Sequence, residues 1–586
     1  MGSELNPEQK RYLEGFASGM LIARSAASAN SAPAAPAPVS PDGPALQAAS
    51  AVEAAGKKLS DPEKWKRAEN PLDAWPRLHE MAANNQFPSP QDNFRWRYHG
   101  LFYVAPAQDS FMLRMRIANG ILSAAQFGAC ADLARKYGDG LCAVTTRANL
   151  QIRGIKAHDA TPILESLQDI GLTGKGSGAD NIRNVTGSPT AGIDAQELLD
   201  TRPLARQWHF HILNQRALYG LPRKFNVAFD GGGCVPVLEE TNDIGFQAVA
   251  IDNGAGAPRV ACRLVLGGIS GHKDLARDTG VICQPEQCTA LADAIIRVFI
   301  ETGDRTDRNK ARLKYVLDSM GFDAFLARVE KRLSFPLERV ANALILPRAA
   351  FVRDAHIGVH KQVQPGRNWL GVVVPVGRLD AAQMQGLADV SRNFGDGDIR
   401  LTVWQNLLIS GVADADVAPA SAAIEALGLA ITASPIRRGL VACTGAKGCK
   451  FAAADTKGHA LEIAAHVEAS LQLDLPVNLH LTGCHNSCAQ HYIGDIGLIG
   501  AKVPVNEDGD TVEGYDIVVG GGFADNPKIG RPLVQAIKAS ECPQLVTRLL
   551  AAWLQRRTGK EESFFSFANR HPIEELQEFV KGAQSP

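Results

Sequence analysis

Two stretches of the chain repeat the same order of apolar and polar positions. Residues 120–155 and 377–412 each begin with a helical pattern, reach Gly-Asp-Gly, and continue with the alternating pattern of a strand. They align without a gap and share 16 identities in 36 positions. Apolar, strand-like residues also precede each copy. The sequence therefore predicts a duplicated β-α-β unit whose two copies pair into one pseudo-symmetric domain.

A long stretch of mixed helical and strand patterns follows each repeat, so the chain is predicted to be α+β and built from two related halves. Residues 4–24 are predicted to be a short helix. An Ala-, Pro- and Ser-rich tether should follow, with ordered structure from about Pro62. The predicted segments are the N-terminal helix and tether 1–61, the first half-domain 62–158, the first α/β domain 159–350, the second half-domain 351–415, and the second α/β domain with C-terminal helices 416–586.

Charge and composition narrow the class of protein. The 586 residues include 61 basic and 62 acidic side chains, which argues against a general nucleic-acid or membrane-surface role. No apolar run is long enough to predict a membrane span, and the charged N-terminus lacks a secretory pattern. Eleven scattered cysteines do not resemble a disulfide framework. A reduced, cytoplasmic protein without nucleic-acid or membrane partners is expected.

Four cysteines carry the strongest chemical signal. Cys443 and Cys449 lie in VACTGAKGCK, and Cys484 and Cys488 lie in LTGCHNSCAQ, with a helix-sized stretch between the pairs. A cubane iron–sulfur cluster needs four converging thiolates, since each iron takes one. Zinc also takes four thiolates, usually with closer pair spacing, and buried free cysteines are common. The Gly-containing, turn-like context of both pairs favours the cluster and leaves zinc and free thiols as alternatives.

Cationic side chains are concentrated in the first half of the chain. The first repeat has Arg147, Gln151 and Arg153 where the second has Trp404, Leu408 and Ser410. Further cations beside strand or turn signals are Arg114, Arg116, Arg183, Arg223 and Lys224. Cations flanked by apolar residues are costly to bury unless they meet anions. The pattern indicates an anionic ligand, and ordinary surface charge is the alternative for each segment alone.

Taken together, these motifs resemble the sirohaem-containing nitrite and sulfite reductases, and most closely the ferredoxin-dependent assimilatory nitrite reductases. The resemblance runs from about residue 111 to about residue 522. It rests on FMLRMR, VTTRANLQIRG, AGIDAQELLDTRPL, LPRKFN, GVHKQVQPG, PVGRL, RLTVWQNLLI, the CTG…C loop and TGCHNSCAQ…DIGLIG, in family order. It implies paired ferredoxin-like half-domains and two α/β domains of the sirohaem and iron–sulfur type.

The resemblance also implies roles for individual residues. Cys443, Cys449, Cys484 and Cys488 match the ligands of a 4Fe–4S cluster, and Cys488 matches the thiolate that also bridges to the sirohaem iron. The match to the sirohaem lining is Arg147, Gln151 and Arg223, and the match to the substrate-facing cations is Arg114, Arg183 and Lys224. Asn226 stands where sulfite reductases usually have a second lysine, which favours nitrite.

The activity that the resemblance implies is reduction of nitrite to ammonium. No Rossmann-type glycine motif follows a strand, so electrons are expected from another protein, ferredoxin or flavodoxin, with the enzyme a monomer. The alternatives are a ferredoxin-dependent sulfite reductase, a non-catalytic iron–sulfur carrier or sensor, and a zinc-stabilised protein. His485, Ala489, Ala446 and Lys447 depart from the family's usual loop residues, which leaves the redox tuning of the cluster open.

Overall fold

The computed structural model describes residues 40–254 and 256–581, and four helices precede its first sheet. The predicted helix 4–24 and most of the predicted tether lie outside the described residues. Within them, the prediction that order begins near Pro62 is wrong, since residues from Pro44 to Ala55 lack Gly and further Pro and are rich in Ala, the strongest helix former. The four helices are α1 Gly43–Ala54, α2 Asp61–Ala68, α3 Trp75–Ala83 and α4 Pro90–Trp96.

The first repeat forms the strands and helices that its pattern predicts. Its main helix begins with a capping box, in which the side chains of Ser123 and Gln126 satisfy each other's backbone N–H groups. The helix stops at Gly138, the first residue of Gly-Asp-Gly. The elements are β1 Leu101–Tyr103, β2 Phe111–Arg114, β3 Ile121–Ser123, α5 Ala124–Tyr137, β4 Leu141–Val144, β5 Leu150–Ile155 and α6 Ala160–Asp169.

The first α/β domain is built on one mixed sheet with the order β11-β10-β9-β8-β7-β6. β6, β7 and β8 are parallel, whereas β8, β9, β10 and β11 are antiparallel neighbours. Its elements are β6 Thr186–Gly187, α7 Arg202–Asn214, β7 Val227–Asp230, β8 Ile244–Ile251, β9 Arg259–Leu266, β10 Arg277–Cys283, α8 Cys288–Thr302, α9 Leu313–Met320, α10 Phe322–Glu330 and β11 Glu338–Arg339.

The second repeat has the same order of elements as the first. Its main helix also begins with a capping box, here between Asp380 and Gln383, at the same position of the repeat. The elements are β12 Gly358–Lys361, β13 Arg367–Val372, β14 Arg378–Asp380, α11 Ala381–Phe394, β15 Asp398–Leu401, β16 Leu407–Ala413 and α12 Val417–Ala426.

The two repeats complete each other's sheets by exchanging one strand. β14 of the second repeat pairs with β4, and β3 of the first repeat pairs with β15. The sheet orders are β1-β2-β5-β4-β14 and β12-β13-β16-β15-β3. This exchange explains why one hydrophobic core contains apolar residues of both repeats. The predicted single domain of paired ferredoxin-like repeats is confirmed.

The half-domains extend one helix beyond their predicted ends. Leu164 and Leu167 of α6, and Ala420 and Ile424 of α12, are buried in the core that the two repeats share. The predicted ends at residues 158 and 415 therefore fall too early. Each helix follows a short turn, Ala157–Asp159 or Asp414–Asp416, and packs back onto this core.

The second α/β domain repeats the sheet of the first and carries the cysteine pairs. β17, β18 and β19 are parallel, and β19, β20 and β21 are antiparallel neighbours. Within the described part of the chain, no helix is long and apolar enough to span a bilayer. The elements are α13 Pro435–Arg438, β17 Gly439–Ala442, α14 Thr456–Ser470, β18 Asn478–Thr482, β19 Ile496–Pro504, β20 Thr511–Val519, β21 Arg531–Lys538, α15 Cys542–Arg556, α16 Phe564–Arg570 and α17 Ile573–Val580.

One hydrogen bond shows that the duplication extends into the α/β domains. In the first, the backbone N–H of Asn226 donates to Oδ2 of Asp243 at 2.8 Å. In the second, the backbone N–H of Asn478 donates to Oδ2 of Asp495, also at 2.8 Å. Each bond joins the start of one parallel strand to the residue before the next, so residues 226–246 and 478–498 align without a gap.

Candidate functional site

The two cysteine pairs lie at one edge of the second α/β sheet. Cys443 directly follows β17, and Cys484 comes soon after the neighbouring parallel strand β18. The backbone N–H of Cys443 donates to the carbonyl of Leu481 at 3.0 Å, and the N–H of Gly483 donates to the Cys443 sulfur at 3.2 Å. Parallel strands bring their carboxyl ends to one edge, so the fold brings the two loops together.

The electrostatics of the thiols show that the pairs are close in space. Burial, and then a thiolate at Cys488, raise the pKa of Cys443 to about 11. Burial raises the pKa of Cys484, with smaller contributions from Cys488 and Cys449. Within residues 40–254 and 256–581, no three His, Cys, Asp or Glu side chains are close enough to hold one metal ion. A cubane needs a wider arrangement, since each thiolate binds a different iron.

Three predicted cations converge on Cys488. Burial lowers the pKa of Arg114 to about 10, that of Arg147 to about 10 and that of Lys224 to about 7. In each case a Cys488 thiolate opposes part of the shift. The first repeat also reaches this loop through Thr146, whose hydroxyl donates to the carbonyl of Cys488 at 2.7 Å. The duplicated halves therefore meet at the last cysteine.

Arg183 and Arg223 lie beside this group. The guanidinium of Arg183 donates to the carbonyls of Ser177 and Ala179 at 2.9 and 2.7 Å. Its buried Nε has no partner among the residues that the structure describes. Burial lowers the pKa of Arg183 well below its usual value, and the neighbouring charge of Arg114 adds to this. Arg223 lies 3.9 Å from the Asp180 carboxylate. The five cations for which the resemblance implies a role thus belong to one neighbourhood, namely Arg114, Arg147, Arg183, Arg223 and Lys224.

The two predicted amide side chains lie on the same elements as the cations. Gln151 is buried on β5 and faces Arg114 across the β2–β5 pair. Asn226 is buried two residues after Lys224, and its backbone is fixed by Asp243. Within the described residues, neither side-chain amide has a hydrogen bond to the protein, so both can bond a ligand.

Three further cations belong to the site and were missed by the sequence interpretation. Arg312 forms a buried ion pair with Asp243 at 2.7 Å, and Arg308 contacts Asp180 through two hydrogen bonds of 2.7 and 2.8 Å. Arg97 lies over the ring of Phe102 at 5.6 Å. Arg308 and Arg312 belong to the run RTDRNKARLK, which is typical of exposed surface. Only the tertiary fold brings them to Lys224.

The balance of charge in the site fits a polyanionic ligand. Arg308 and Arg312 have carboxylate partners, but Arg114 and Lys224 have no ion pair or hydrogen bond in the part of the chain that the structure describes. Half-buried cations without partners are costly, and a ligand with several carboxylates would remove that cost. Sirohaem, which carries eight carboxylates, fits this set of donors.

The equivalent place in the other half of the molecule is filled with protein. Trp404, which matches Arg147 in the repeat, donates its Nε1–H to the carbonyl of Pro236 at 3.3 Å. Pro236 occupies the position that Cys488 has in the other half. The Trp404 ring packs against Phe523 and His356, with centroids 4.7 and 5.6 Å apart. Residues at the positions that build the site in one half therefore fill the corresponding space in the other half.

Two family models match segments of the chain that correspond to the half-domains and α/β domains of the structure. A model of the nitrite and sulphite reductase 4Fe-4S domain matches residues 178–337 and 435–584. A model of the nitrite/sulfite reductase ferredoxin-like half domain matches residues 104–170 and 360–427. The chain belongs to the nitrite and sulfite reductase family. The predicted family and 4Fe–4S cofactor are confirmed.

Individual members of this family align along most of their length. A ferredoxin–nitrite reductase of Leptolyngbya laminosa is 39% identical over 78% of this chain and 89% of its own. One from Synechococcus elongatus is 35% identical over 85% and 97%. The solved structure of the Mycobacterium tuberculosis NirA protein superposes with a TM-score of 0.81 at 28% identity, covering 89% of this chain and 98% of that one. The similarity to these proteins therefore extends over both halves of the duplicated chain.

Proposed function

We propose that this chain is a cytoplasmic ferredoxin-dependent nitrite reductase that converts nitrite to ammonium. The observation that carries the proposal is the convergence of Arg114, Arg147 and Lys224 on Cys488, the last of the four cysteines. An electron carrier or sensor with a 4Fe–4S cluster would need no buried cations beside it. The names of relatives from cyanobacteria, plants and an archaeon, all nitrite reductases that use ferredoxin, support this proposal.

The cofactors divide between the two sets of residues. Cys443, Cys449, Cys484 and Cys488 would hold the 4Fe–4S cluster, and Cys488 would also contact the sirohaem. Arg147, Gln151 and Arg223 bind the haem carboxylates with help from Arg308 and Arg312. When bound, sirohaem supplies the iron at which nitrite is reduced, and the cluster supplies electrons singly.

The side chains on the open side of the site bind the substrate and its protons. Arg114, Arg183 and Lys224 provide fixed positive charge for an oxyanion, and none of the three forms an ion pair within the described residues. Lys224, with a pKa lowered to about 7 by burial, can hold or release a proton near neutral pH. Asn226 adds no charge, which suits a monoanion such as nitrite better than the more highly charged sulfite.

The electron donor is proposed to dock on the outer side of the cluster loop. Lys450 and Phe451 directly follow Cys449, and Phe451 is 62% exposed. Lys447 is exposed on the same loop. Exposed Arg378 is close enough to affect the half-buried Arg153 and the buried Lys457. We call Arg378, Lys447, Lys450 and Phe451 the donor face. A basic rim around an aromatic residue complements an acidic electron carrier.

The cofactors and the substrate are tested first. The purified protein should show a Soret band, a red chlorin-type band and the electron paramagnetic resonance signal of a reduced 4Fe–4S cluster. Reduced viologen should support turnover of nitrite with a higher kcat/KM than sulfite. A folded protein without the haem bands contradicts the enzyme proposal, and a preference for sulfite contradicts the proposed substrate.

Two substitutions separate the roles of the ligands and the donor face. Cys488→Ser should disturb the haem spectrum as well as the cluster, because Cys488 is proposed to bind both.

Lys450→Glu should raise KM for ferredoxin about tenfold, with little change when viologen is the donor, because charge complementarity acts on docking. The matched control is Lys502→Glu, at an exposed position of β19. Equal effects of both lysine variants would contradict the donor face.

A further inference from the structure

Arg153 connects the first repeat to the loop between the first two cysteines. It lies on β5, in the sheet of the ferredoxin-like domain. Its Nη1 donates to the carbonyl of Gly448 at 2.9 Å, and its Nη2 donates to the hydroxyl of Thr444 at 3.1 Å. Thr444 follows Cys443, and Gly448 precedes Cys449. One guanidinium therefore holds both ends of the loop that presents these two thiolates.

The loop is shaped to accept this guanidinium. A Cβ atom added to Gly448 would lie 2.8 Å from Nη1 of Arg153, so a side chain at this position would push the guanidinium away. Nη2 also lies 3.2 Å from the sulfur of Met112 on β2. The half-buried Arg153 side chain is thus fixed from its own sheet and from the cluster loop.

The charge of Arg153 is directed at thiolates and not neutralised by an ion pair. Within residues 40–254 and 256–581, Arg153 forms no salt bridge. Burial lowers its pKa, and the largest opposing contribution is a thiolate at Cys449, followed by Asp139 and, after the like charge of Arg378, by Cys443. Arginine remains protonated throughout the physiological range. The site therefore contains a permanent positive charge beside two cluster ligands.

The second repeat, together with the first α/β domain, provides an internal comparison. Ser410 occupies the repeat position of Arg153, and its hydroxyl donates to Asp396 at 3.0 Å, within its own repeat. In the α/β domains, Gly232 and Pro236 of the first domain match Cys484 and Cys488 of the second. The cation is present only in the copy that faces the cluster loop.

We propose that Arg153 is a positioning residue that raises the reduction potential of the 4Fe–4S cluster and fixes the Cys443–Cys449 loop. Reduction adds one negative charge to the cluster, and a fixed cation beside its thiolates stabilises the reduced form more than the oxidised form. Charge and hydrogen bonds around the ligands are established determinants of cluster potential. The inference rests on the proposed function only in requiring a cluster at these cysteines.

The test is a redox titration of the holoenzyme followed by the electron paramagnetic resonance signal of the reduced cluster. Arg153→Gln removes the charge but retains a hydrogen-bond donor, and Arg153→Lys retains the charge but loses the two-pronged geometry. Arg153→Gln should disfavour reduction about tenfold, equivalent to about 59 mV for one electron. Arg153→Lys should shift the midpoint much less. The control is Arg135→Gln, which removes an exposed arginine from α5 of the same repeat.

Each outcome decides the proposal. A midpoint shifted to more negative values in Arg153→Gln, with wild-type values in Arg153→Lys and Arg135→Gln, supports it. An unchanged midpoint in Arg153→Gln with full iron content overturns it. If Arg153→Gln assembles too little cluster to titrate, Arg153→Lys decides: a wild-type midpoint supports the role of charge, and a lowered midpoint overturns it. Failure of the proposed function can be distinguished from failure of the Arg153 proposal, since the wild-type protein would then lack the cluster signal.

Discussion

The carboxylate of Asp243 accepts a hydrogen bond from the backbone N–H of Asn226 at 2.8 Å. The same carboxylate pairs with Arg312 at 2.7 Å, and both side chains are buried. Asp243 thereby fixes the chain two residues after Lys224 and supplies one negative charge to a site crowded with cations. Asp495 makes the corresponding backbone bond to Asn478 in the other half. Both halves of the fold contain this contact, and in the first half it also positions Lys224.

Asp243→Asn should therefore weaken both stability and turnover. Loss of the carboxylate leaves Arg312 buried without a partner, and breaking a buried ion pair in this way costs about 3–5 kcal/mol. The variant should unfold at a lower denaturant concentration and lose at least about tenfold in kcat/KM for nitrite, because the Lys224 segment is less well fixed. Asp318→Asn, at an exposed ion pair of α9, is the control. Wild-type stability of Asp243→Asn would contradict this role.

Lys224→Met should reduce turnover while leaving the cofactors in place. Removing a charge that stabilises the reacting oxyanion typically lowers kcat by about 100-fold or more. The Soret band and cluster signal should persist, because Lys224 is proposed to bind substrate and not the haem. Lys136→Met, at an exposed position of α5, should have wild-type rates. Unchanged nitrite kinetics of Lys224→Met would remove this residue from the mechanism.

Asn226→Lys should shift the preference between oxyanions. The substitution adds a cation two residues after Lys224, where its charge favours sulfite over nitrite. We expect the ratio of kcat/KM for nitrite to that for sulfite to fall about tenfold, on the scale of a single charge contact in a desolvated site. Asn226→Leu, which fills the position without charge, separates charge from volume. A ratio unchanged in Asn226→Lys would show that this position does not select the substrate.

Proton uptake should accompany haem binding at pH 8. Burial, together with neighbouring cations led by Arg312, lowers the pKa of Lys224 from 10.5 to about 7, so most of the side chain is neutral at pH 8 before haem binds. Haem carboxylates favour the charged form and raise this pKa again. Calorimetry in buffers of different ionisation enthalpy should show uptake of up to about one proton that is lost in Lys224→Met. Equal uptake in both proteins would contradict this assignment.

The protein should lose stability in mild acid because several histidines are buried in the neutral form. Burial lowers the pKa of His99 from 6.5 to about 4, and that of His356 likewise to about 4. Between these values the unfolded chain binds more protons than the folded one, so stability falls as pH falls from about 6.5 to 4. Each histidine contributes up to about 1.4 kcal/mol per pH unit in this window.

His99→Gln should make that loss of stability shallower. Glutamine can keep the bond that the Nε2 atom of His99 makes to the carbonyl of Pro71 at 3.1 Å, but it cannot take up a proton. Unfolding temperatures measured from pH 7.5 to 4.5 should fall less in this variant than in the wild type. Exposed His158→Gln is the control, and equal slopes in all proteins would contradict the prediction.

Local patterns were sufficient to predict the duplicated β-α-β units and the cysteine loops. The capping residues Ser123 and Asp380 and the shared Gly-Asp-Gly determine where each repeat helix begins and ends, and such signals act within a few residues. The helix α1 was missed because the many prolines before it dominated the composition of the segment. The ends of the half-domains were placed too early, because burial of α6 and α12 depends on distant strands.

The sequence by itself determined which groups the site contains, namely four cysteines in the second half of a duplicated chain and a set of cations in the first half. Only the tertiary structure decided how they meet. The exchange of β3 and β14 joins the two repeats, so Arg153 can reach Gly448, 295 positions away. Arg312 is typical of exposed surface in sequence, yet Asp243 holds it beside Lys224. Contacts between distant segments depend on strand order and burial, which no local pattern encodes.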